Sequence, residues 1–469
     1  MNKEKNKTDI DSDDIYCKKN KEIEYKDLLS FFLPLAVTPF FISTTHSLIN
    51  ATMARLPFPE ISIAVFSVVK GVFNAIKAPN LMFTQINVSL VDDKQSYQVA
   101  SRFNWTLCAV FFFILFVLGY TPAGGWFLSN IIGIKDPESI KFAYLAMRIT
   151  CFLPIVETLR NVHRGLAISH ERTKIVSAAT AVRLIAIIIF LWWSVKTQLI
   201  PGVVAGGLAW TAGIGIEGLM VYAGVLYHFS SPVTAAEKMP KKNKKELKYR
   251  DIITFFVPLA AMMFFLAVLR PLIQSGIARS QVNTTQALAA FGVAFGIMRI
   301  IVGPMRFLHH CSLVYVGEND YQRWKKVKRF CLFTGLIVTG VMLLLTLTPV
   351  AFWILRHIIG VSEPVADLGQ LVLLAFSFLP IILSSREAYW GLLMEQKTTK
   401  IIGYAKGLNV LTVFIILFSV IGIVENFWIS SAVIGAIAYT LGQMVETFVI
   451  CLYSSRNIKP AVNTKVLDI

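Results

Sequence analysis

Acidic side chains are scarce in this chain. Asp and Glu number 28 against 45 Lys and Arg, a net charge of +17, and all four charged types together make up only 16% of 469 residues. So little charge excludes a disordered polyelectrolyte and a soluble enzyme of ordinary composition. The six cysteines (17, 108, 151, 311, 331 and 451) form no CxxC pair, which argues against a disulfide framework and a zinc centre. The sequence has no Walker loop, no HExxH and no nucleophile elbow, so neither ATP-driven transport nor hydrolytic chemistry is expected. No metal, cofactor or enzymatic role is anticipated.

What fills the chain instead is apolar sequence, 55% of all residues, with a mean hydropathy of +0.62. Twelve runs are long enough to cross a bilayer: 28–53, 62–91, 103–130, 142–169, 174–195, 202–229, 252–278, 287–316, 330–358, 366–394, 400–422 and 428–454. The expected fold is an all-α integral membrane protein. With the N-terminus inside, the inner segments hold 28 Lys and Arg and the outer ones 6. That asymmetry places both termini in the cytoplasm, with the plasma membrane the expected location. The basic excess therefore reads as topology rather than a nucleic-acid surface. The strongest charge run, in the linker 231–250, would also suit anionic lipid headgroups.

The second half repeats the first. Tyr25-Lys26-Asp27 with Phe31-Phe32-Leu33-Pro34-Leu35-Ala36 returns as Tyr249-Arg250-Asp251 with Phe255-Phe256-Val257-Pro258-Leu259-Ala260, 224 residues on. Gly71 and Pro79 match Gly296 and Pro304 at 225; Phe152-Leu153-Pro154, Arg160 and Gly165 match Phe378-Leu379-Pro380, Arg386 and Gly391 at 226. Ile131-Ile132-Gly133 matches Ile358-Ile359-Gly360 at 227, and Glu217 matches Glu446 at 229. Six spans per unit return the chain to the same side, so the twelve transmembrane helices should form two six-helix lobes related by a parallel 6+6 repeat. The domains read as a tail at 1–27, an N-lobe at 28–230, a basic linker at 231–250, a C-lobe at 251–454 and a tail at 455–469. Such duplication suggests a transporter that works by alternating access between its lobes.

Away from the span ends, eleven Lys and Arg lie inside the spans against four Glu. A base at mid-helix costs roughly 2.5–3.5 kcal/mol unless it meets water, a partner or a ligand. Lys70, Asn74 and Lys77 share one helical face, as do Arg299 and Arg306 in the matching span. Arg270 precedes Gln274 by four, His46 precedes Asn50 by four, and Arg160 and Arg386 occupy matched positions. Bases that outnumber acids this far suggest a cavity of positive potential for an anion, and Arg suits phosphate or carboxylate through its planar fork. The competing reading is that these bases pair with glutamates, Glu157 and Glu387 being near Arg160 and Arg386. Glu217, Glu446 and His46 are candidates to carry a coupling proton or sodium ion, and His309 and His310 are further possible proton carriers, with salt bridging the alternative for the glutamates and hydrogen-bonded packing for the histidines. The three proline pairs at 34/258, 79/304 and 154/380 permit kinks, which could serve alternating access or, as static kinks, shape packing. Gly213-Ile-Gly215-Ile-Glu217-Gly218 fits GxGxxG but sits inside a span, where close helix packing explains it better.

Twelve spans in two units that each open on a Phe-rich segment ending in Pro-Leu-Ala resemble the multidrug/oligosaccharidyl-lipid/polysaccharide (MOP) exporter superfamily. Within it, Phe291-Gly292-Val293-Ala294, Met298-Arg299, Gly303-Pro304-Met305, Leu313-Val314-Tyr315-Val316, Ile358-Ile359-Gly360-Val361 and Phe376-Ser377-Phe378-Leu379-Pro380 resemble the progressive ankylosis family. Arg386, Gly442 and Glu446 are similar too. The resemblance implies export of polyvalent anions such as pyrophosphate, citrate or nucleotide phosphates, with Arg299, Arg386 and Glu446 as the matched polar positions. A flippase for a pyrophosphate-linked lipid precursor of peptidoglycan or polysaccharide is the alternative. Cationic multidrug efflux fits less well, because a cation site wants carboxylates and aromatics.

Overall fold

The computed structural model describes residues 23–132, 134, 136–239, 246–279, 284–316, 320–424 and 430–457. Most of the N-terminal tail, the basic run at 240–245, Lys135 and the C-terminal tail from 458 lie outside them. Twelve apolar helices are long enough to span a membrane, and the chain is an integral membrane protein. They are α1 (Tyr25–Met53), α2 (Ile61–Leu90), α3 (Lys94–Tyr120), α4 (Pro137–Ser169), α5 (Thr173–Thr197) and α6 (Gly202–Phe229). The second set is α7 (Tyr249–Ile277), α8 (Gln286–Tyr315), α9 (Tyr321–Leu347), α10 (Glu363–Glu395), α11 (Lys400–Ser419) and α12 (Ser431–Arg456).

The contacts divide the chain into two compact units. One takes Thr44–Ile253 with the start of α1 to Pro34, and the other takes Leu35–Ser43 with the chain from Thr254 onward. The second unit thus claims one stretch of α1, which the lobe boundaries read from the sequence do not anticipate. In the first unit α6 packs on α4 and α5; in the second α12 packs on α10 and α11. The first unit's core is built on Phe66, Phe73, Met147, Leu153, Trp210 and Ile214. Phe113, Ile189 and Trp192 turn outward on α3 and α5, as do Phe333 and Leu344 on α9. These exposed apolar faces are at home against lipid chains rather than water.

The duplication extends to local chemistry. At the start of α1 the Glu24 amide donates to Asp27 Oδ2 at 3.0 Å; at α7 the Lys248 amide does the same to Asp251 Oδ2, also at 3.0 Å. Asp93 caps α3 by accepting from the Ser96 amide at 2.7 Å, and Asp320 caps α9 by accepting from the Arg323 amide at 3.0 Å. Each carboxylate takes up an amide that the first helical turn cannot satisfy.

Two of the three proline pairs interrupt their helices as expected. α2 tightens into a 3-10 turn over Ala78–Met82 at Pro79, and α8 does so over Gly303–Phe307 at Pro304. α4 and α10 each restart after a break, at Leu153 and Leu379, with Pro154 and Pro380 in the new first turn, where no amide bond is lost. Pro34 and Pro258 are the exception, because α1 and α7 run unbroken through them.

Two matched glycines let the second part of a broken helix close on its neighbour. A Cβ at Gly165 would lie 2.6 Å from Asn87 Cβ and 2.9 Å from the Thr84 carbonyl oxygen; one at Gly391 would lie 2.5 Å from Ser312 Cβ and nearer still to the His309 carbonyl. Gly391→Ala should therefore destabilise the protein by about 1–3 kcal/mol through overpacking. A lower thermal midpoint in detergent checks this; an unchanged midpoint contradicts the close packing.

Candidate polar site and buried ion networks

The broken helices carry most of the buried charge. In the first unit α4 supplies Glu157, Arg160 and Arg164, all buried. Lys77 of α2 donates to Glu157 Oε1 at 2.5 Å. Glu217 of α6, fully buried, accepts from Arg183 at 2.7 Å and from Thr180 at 3.1 Å, both on α5, and lies 3.5 Å from Arg160. Arg160 Nε also donates to Asn161 Oδ1 at 3.1 Å, and Asn161 donates to the Asn80 carbonyl at the α2 break. Gly218 permits this approach, since a Cβ there would stand 3.2 Å from the Arg160 amide nitrogen. The glycines of the GxGxxG match at 213–218 thus serve helix packing.

The second unit builds the same network with its parts exchanged. Glu446 of α12 accepts from Lys406 at 2.5 Å and Asn409 at 2.6 Å on α11, and lies 3.6 Å from Arg386 on α10. Residues 406 and 409 are 226 on from 180 and 183. The first unit therefore holds its carboxylate with Thr then Arg, the second with Lys then Asn. Each uses one cation and one neutral donor, in opposite order. Arg386 also donates to Glu387 Oε1 at 2.6 Å and to Gln443 Oε1. His309 of α8 meets Glu387 Oε2 through Nδ1 at 2.8 Å. Arg386 lies over the Trp390 ring at 4.4 Å.

The remaining candidates lie on a different face, formed by the first two helices of each unit. In the first unit Lys70 approaches His46 Nδ1 at 3.1 Å, and Lys70 and Lys77 stand over the Trp210 ring at 5.9 and 5.2 Å. Asn74 is exposed. In the second unit Arg270 lies over Phe295 at 5.5 Å, and Phe295 packs edge-on to Tyr439 at 5.5 Å. Arg299 is within electrostatic reach of Arg306, Arg270 and Tyr439. Arg270 and Arg299 are exposed and Arg306 half-buried; among the described residues none of the three forms an ion pair with a carboxylate. The repeat offsets align these faces: His46 with Arg270, Asn74 with Arg299, Trp210 with Tyr439.

The singled-out residues thus fall into two groups. Lys77, Arg160, Arg386, Glu217 and Glu446 are buried in ion networks, whereas Lys70, Asn74, Arg270, Arg299, Arg306 and His46 lie on the paired faces. Arg160 and Glu157 do not pair with each other; each reaches to a neighbouring helix instead. Hydropathy reasoning passes over Trp210, Tyr439, Thr180 and Asn409, although the offsets of 229 and 226 point to them. Among the described residues no cluster of His, Cys, Asp and Glu could hold a metal ion.

A family model for the progressive ankylosis protein matches residues 17–205 and 240–466. Among solved structures, a MOP-superfamily transporter from Pyrococcus furiosus superposes with a TM-score of 0.73 at 13% identity, covering 92% of this chain and 96% of that one. Its binding pocket is described as having reverse polarity, suggesting a different function for that protein. A mutant of the Vibrio cholerae MATE transporter VcmN gives 0.70 at 11% identity with the same coverage. A MATE protein in the straight conformation gives 0.72 at 14%, again covering 92% and 96%. At such identities the likeness is one of fold. The chain belongs to the progressive ankylosis protein family and has the twelve-helix fold of the MOP-superfamily transporters.

Proposed function

We propose that this protein is a secondary transporter that exports a polyvalent anion, of the pyrophosphate, citrate or nucleotide-phosphate class, by alternating access. The observation that carries the reading is the trio Arg270, Arg299 and Arg306 on α7 and α8, three guanidiniums at membrane depth with no carboxylate partner among the described residues. Facing lipid tails, each would cost roughly 2.5–3.5 kcal/mol. Facing a water-filled path, they form a site that a doubly or triply charged anion neutralises through forked hydrogen bonds. An organic cation would need free carboxylates, and Glu157, Glu217, Glu387 and Glu446 are all engaged by buried bases.

The excess of Lys and Arg in the inner segments supports cytoplasmic termini, and export fits a plasma-membrane location. The test is binding to the purified protein in nanodiscs. Pyrophosphate and citrate should bind in competition with each other, and tetraphenylphosphonium should not displace them. Binding of tetraphenylphosphonium alone would overturn the anion reading. Binding of neither class would shift the substrate to a pyrophosphate-linked lipid.

A further inference from the structure

The two units differ in chemistry at one matched place beside the helix breaks. Where α2 meets α4 after the helix break, the first unit sets Thr84 against the Asn161 carbonyl at 3.2 Å. Residues 84 and 161 correspond, at 225 and 226, to His309 and Glu387. Duplication has thus put a titratable pair in one unit where the other has two groups that never ionise.

The surroundings fix where this histidine carries its hydrogen. Glu387 also accepts from Arg386, so it is held ionised, and an ionised carboxylate only accepts. The His309 Nδ1 therefore carries the hydrogen donated to Glu387 Oε2 at 2.8 Å, and a second proton, on Nε2, would make the ring a cation. From α10 the pair is faced by Arg386 and from α9 by the buried thiol of Cys331. From α8 itself come His310, ring to ring at 4.2 Å, and Arg306 one turn earlier. Arg386 and Lys406 balance Glu387 and Glu446, so the network is neutral with His309 neutral and gains one positive charge when it is protonated. In the first unit Lys77, Arg160, Arg164 and Arg183 gather around Glu157 and Glu217, and no histidine takes part in those pairs.

We infer that His309, held by Glu387, is the binding site for a coupling proton, and that protonation there strengthens anion binding at Arg306 and Arg299 on the same helix. This deepens the anion-transport reading and rests on it. Linkage is reciprocal, so anion and proton bind cooperatively and cross together. Glu217 and Glu446, each engaged by two or more donors, are left as fixed structural charges, and the coupling role assigned from sequence moves to the α8–α10 pair.

The experiment is uptake of radiolabelled pyrophosphate and citrate into proteoliposomes with an entrapped pH dye, at external pH 6 and 8. Wild-type uptake should be about fivefold or more faster at pH 6 and should acidify the lumen. His309→Thr, which copies the residue the first unit uses, should still transport, at a rate less dependent on pH than wild type and with less acidification per anion moved. The anion's own protonation is common to both proteins and cancels in the comparison. A His309→Thr protein that keeps the wild-type pH dependence overturns the inference. If wild type moves neither anion, the substrate reading has failed, and the proton site is judged by itself. In histidine-labelled protein in nanodiscs, the resonance lost in His309→Thr should move as the pH is varied, and Glu387→Gln should change that response. A His309 resonance that does not respond to pH, or that ignores Glu387→Gln, overturns the proton site.

Discussion

Lys406→Thr should cost this protein most of its stability in detergent, and adding Asn409→Arg to the same molecule should restore much of it. Lys406 is buried and donates to Glu446 at 2.5 Å. Without it the carboxylate keeps Asn409 and a guanidinium at 3.6 Å. Removing one partner of a buried pair leaves an uncompensated charge and costs about 3–5 kcal/mol. The double substitution installs the Thr-then-Arg order with which Thr180 and Arg183 hold Glu217. Space for the longer side chain should exist at 409, because glycine stands beside both positions: Gly213 near the Arg183 stem and Gly442 near Asn409. Thermal unfolding of the four proteins in the cycle measures this. A double variant no more stable than Lys406→Thr alone would contradict the view that the two networks are interchangeable solutions.

Arg299→Asn should have the opposite profile, with normal insertion and folding but transport reduced by about 30- to 140-fold. The side chain is exposed, so stability should change by no more than about 0.5 kcal/mol. Asparagine is also what the first unit carries at the matched position, Asn74. The loss comes from a charge-assisted bond to the substrate, about 2–3 kcal/mol, where each 1.4 kcal/mol is tenfold. Arg299→Lys should fall between, keeping the charge without the fork. Proteoliposome flux with matched protein amounts separates the three. Full activity in Arg299→Asn would remove the trio from the pathway.

The twelve helices and the duplication were legible because membrane spans are long apolar runs and because the offset drifts only in loops. Asp93 and Asp320 are 227 apart while Pro79 and Pro304 are 225 apart, so the two extra residues fall between α2 and α3 or their counterparts and leave each helix in register. Helix breaks were legible at Pro79, Pro304, Pro154 and Pro380, where the fold uses a 3-10 turn or a fresh start. Pro34 and Pro258 look the same in sequence but leave their helices unbroken, since proline permits a break without imposing one. The partners of the buried charges were not legible. Glu157 and Arg160 are three apart on one helix, yet Glu157 turns to Lys77 on α2 and Arg160 to Glu217 on α6. Which neighbour a helix face meets is decided by tertiary packing, which spacing along one helix does not encode. The His309–Glu387 pair bridges 78 positions and became visible only in three dimensions.

The central claim is export of a polyvalent anion, and its most direct test is the medium around cells. Phosphorylated and carboxylated anions would be quantified by mass spectrometry outside cells that lack the protein, carry it, or carry it with Arg299→Ala and Arg306→Ala at equal surface amounts. The account predicts at least one polyvalent anion that accumulates outside only with the intact protein. An unchanged medium in all three, or equal export by the double variant, would contradict it.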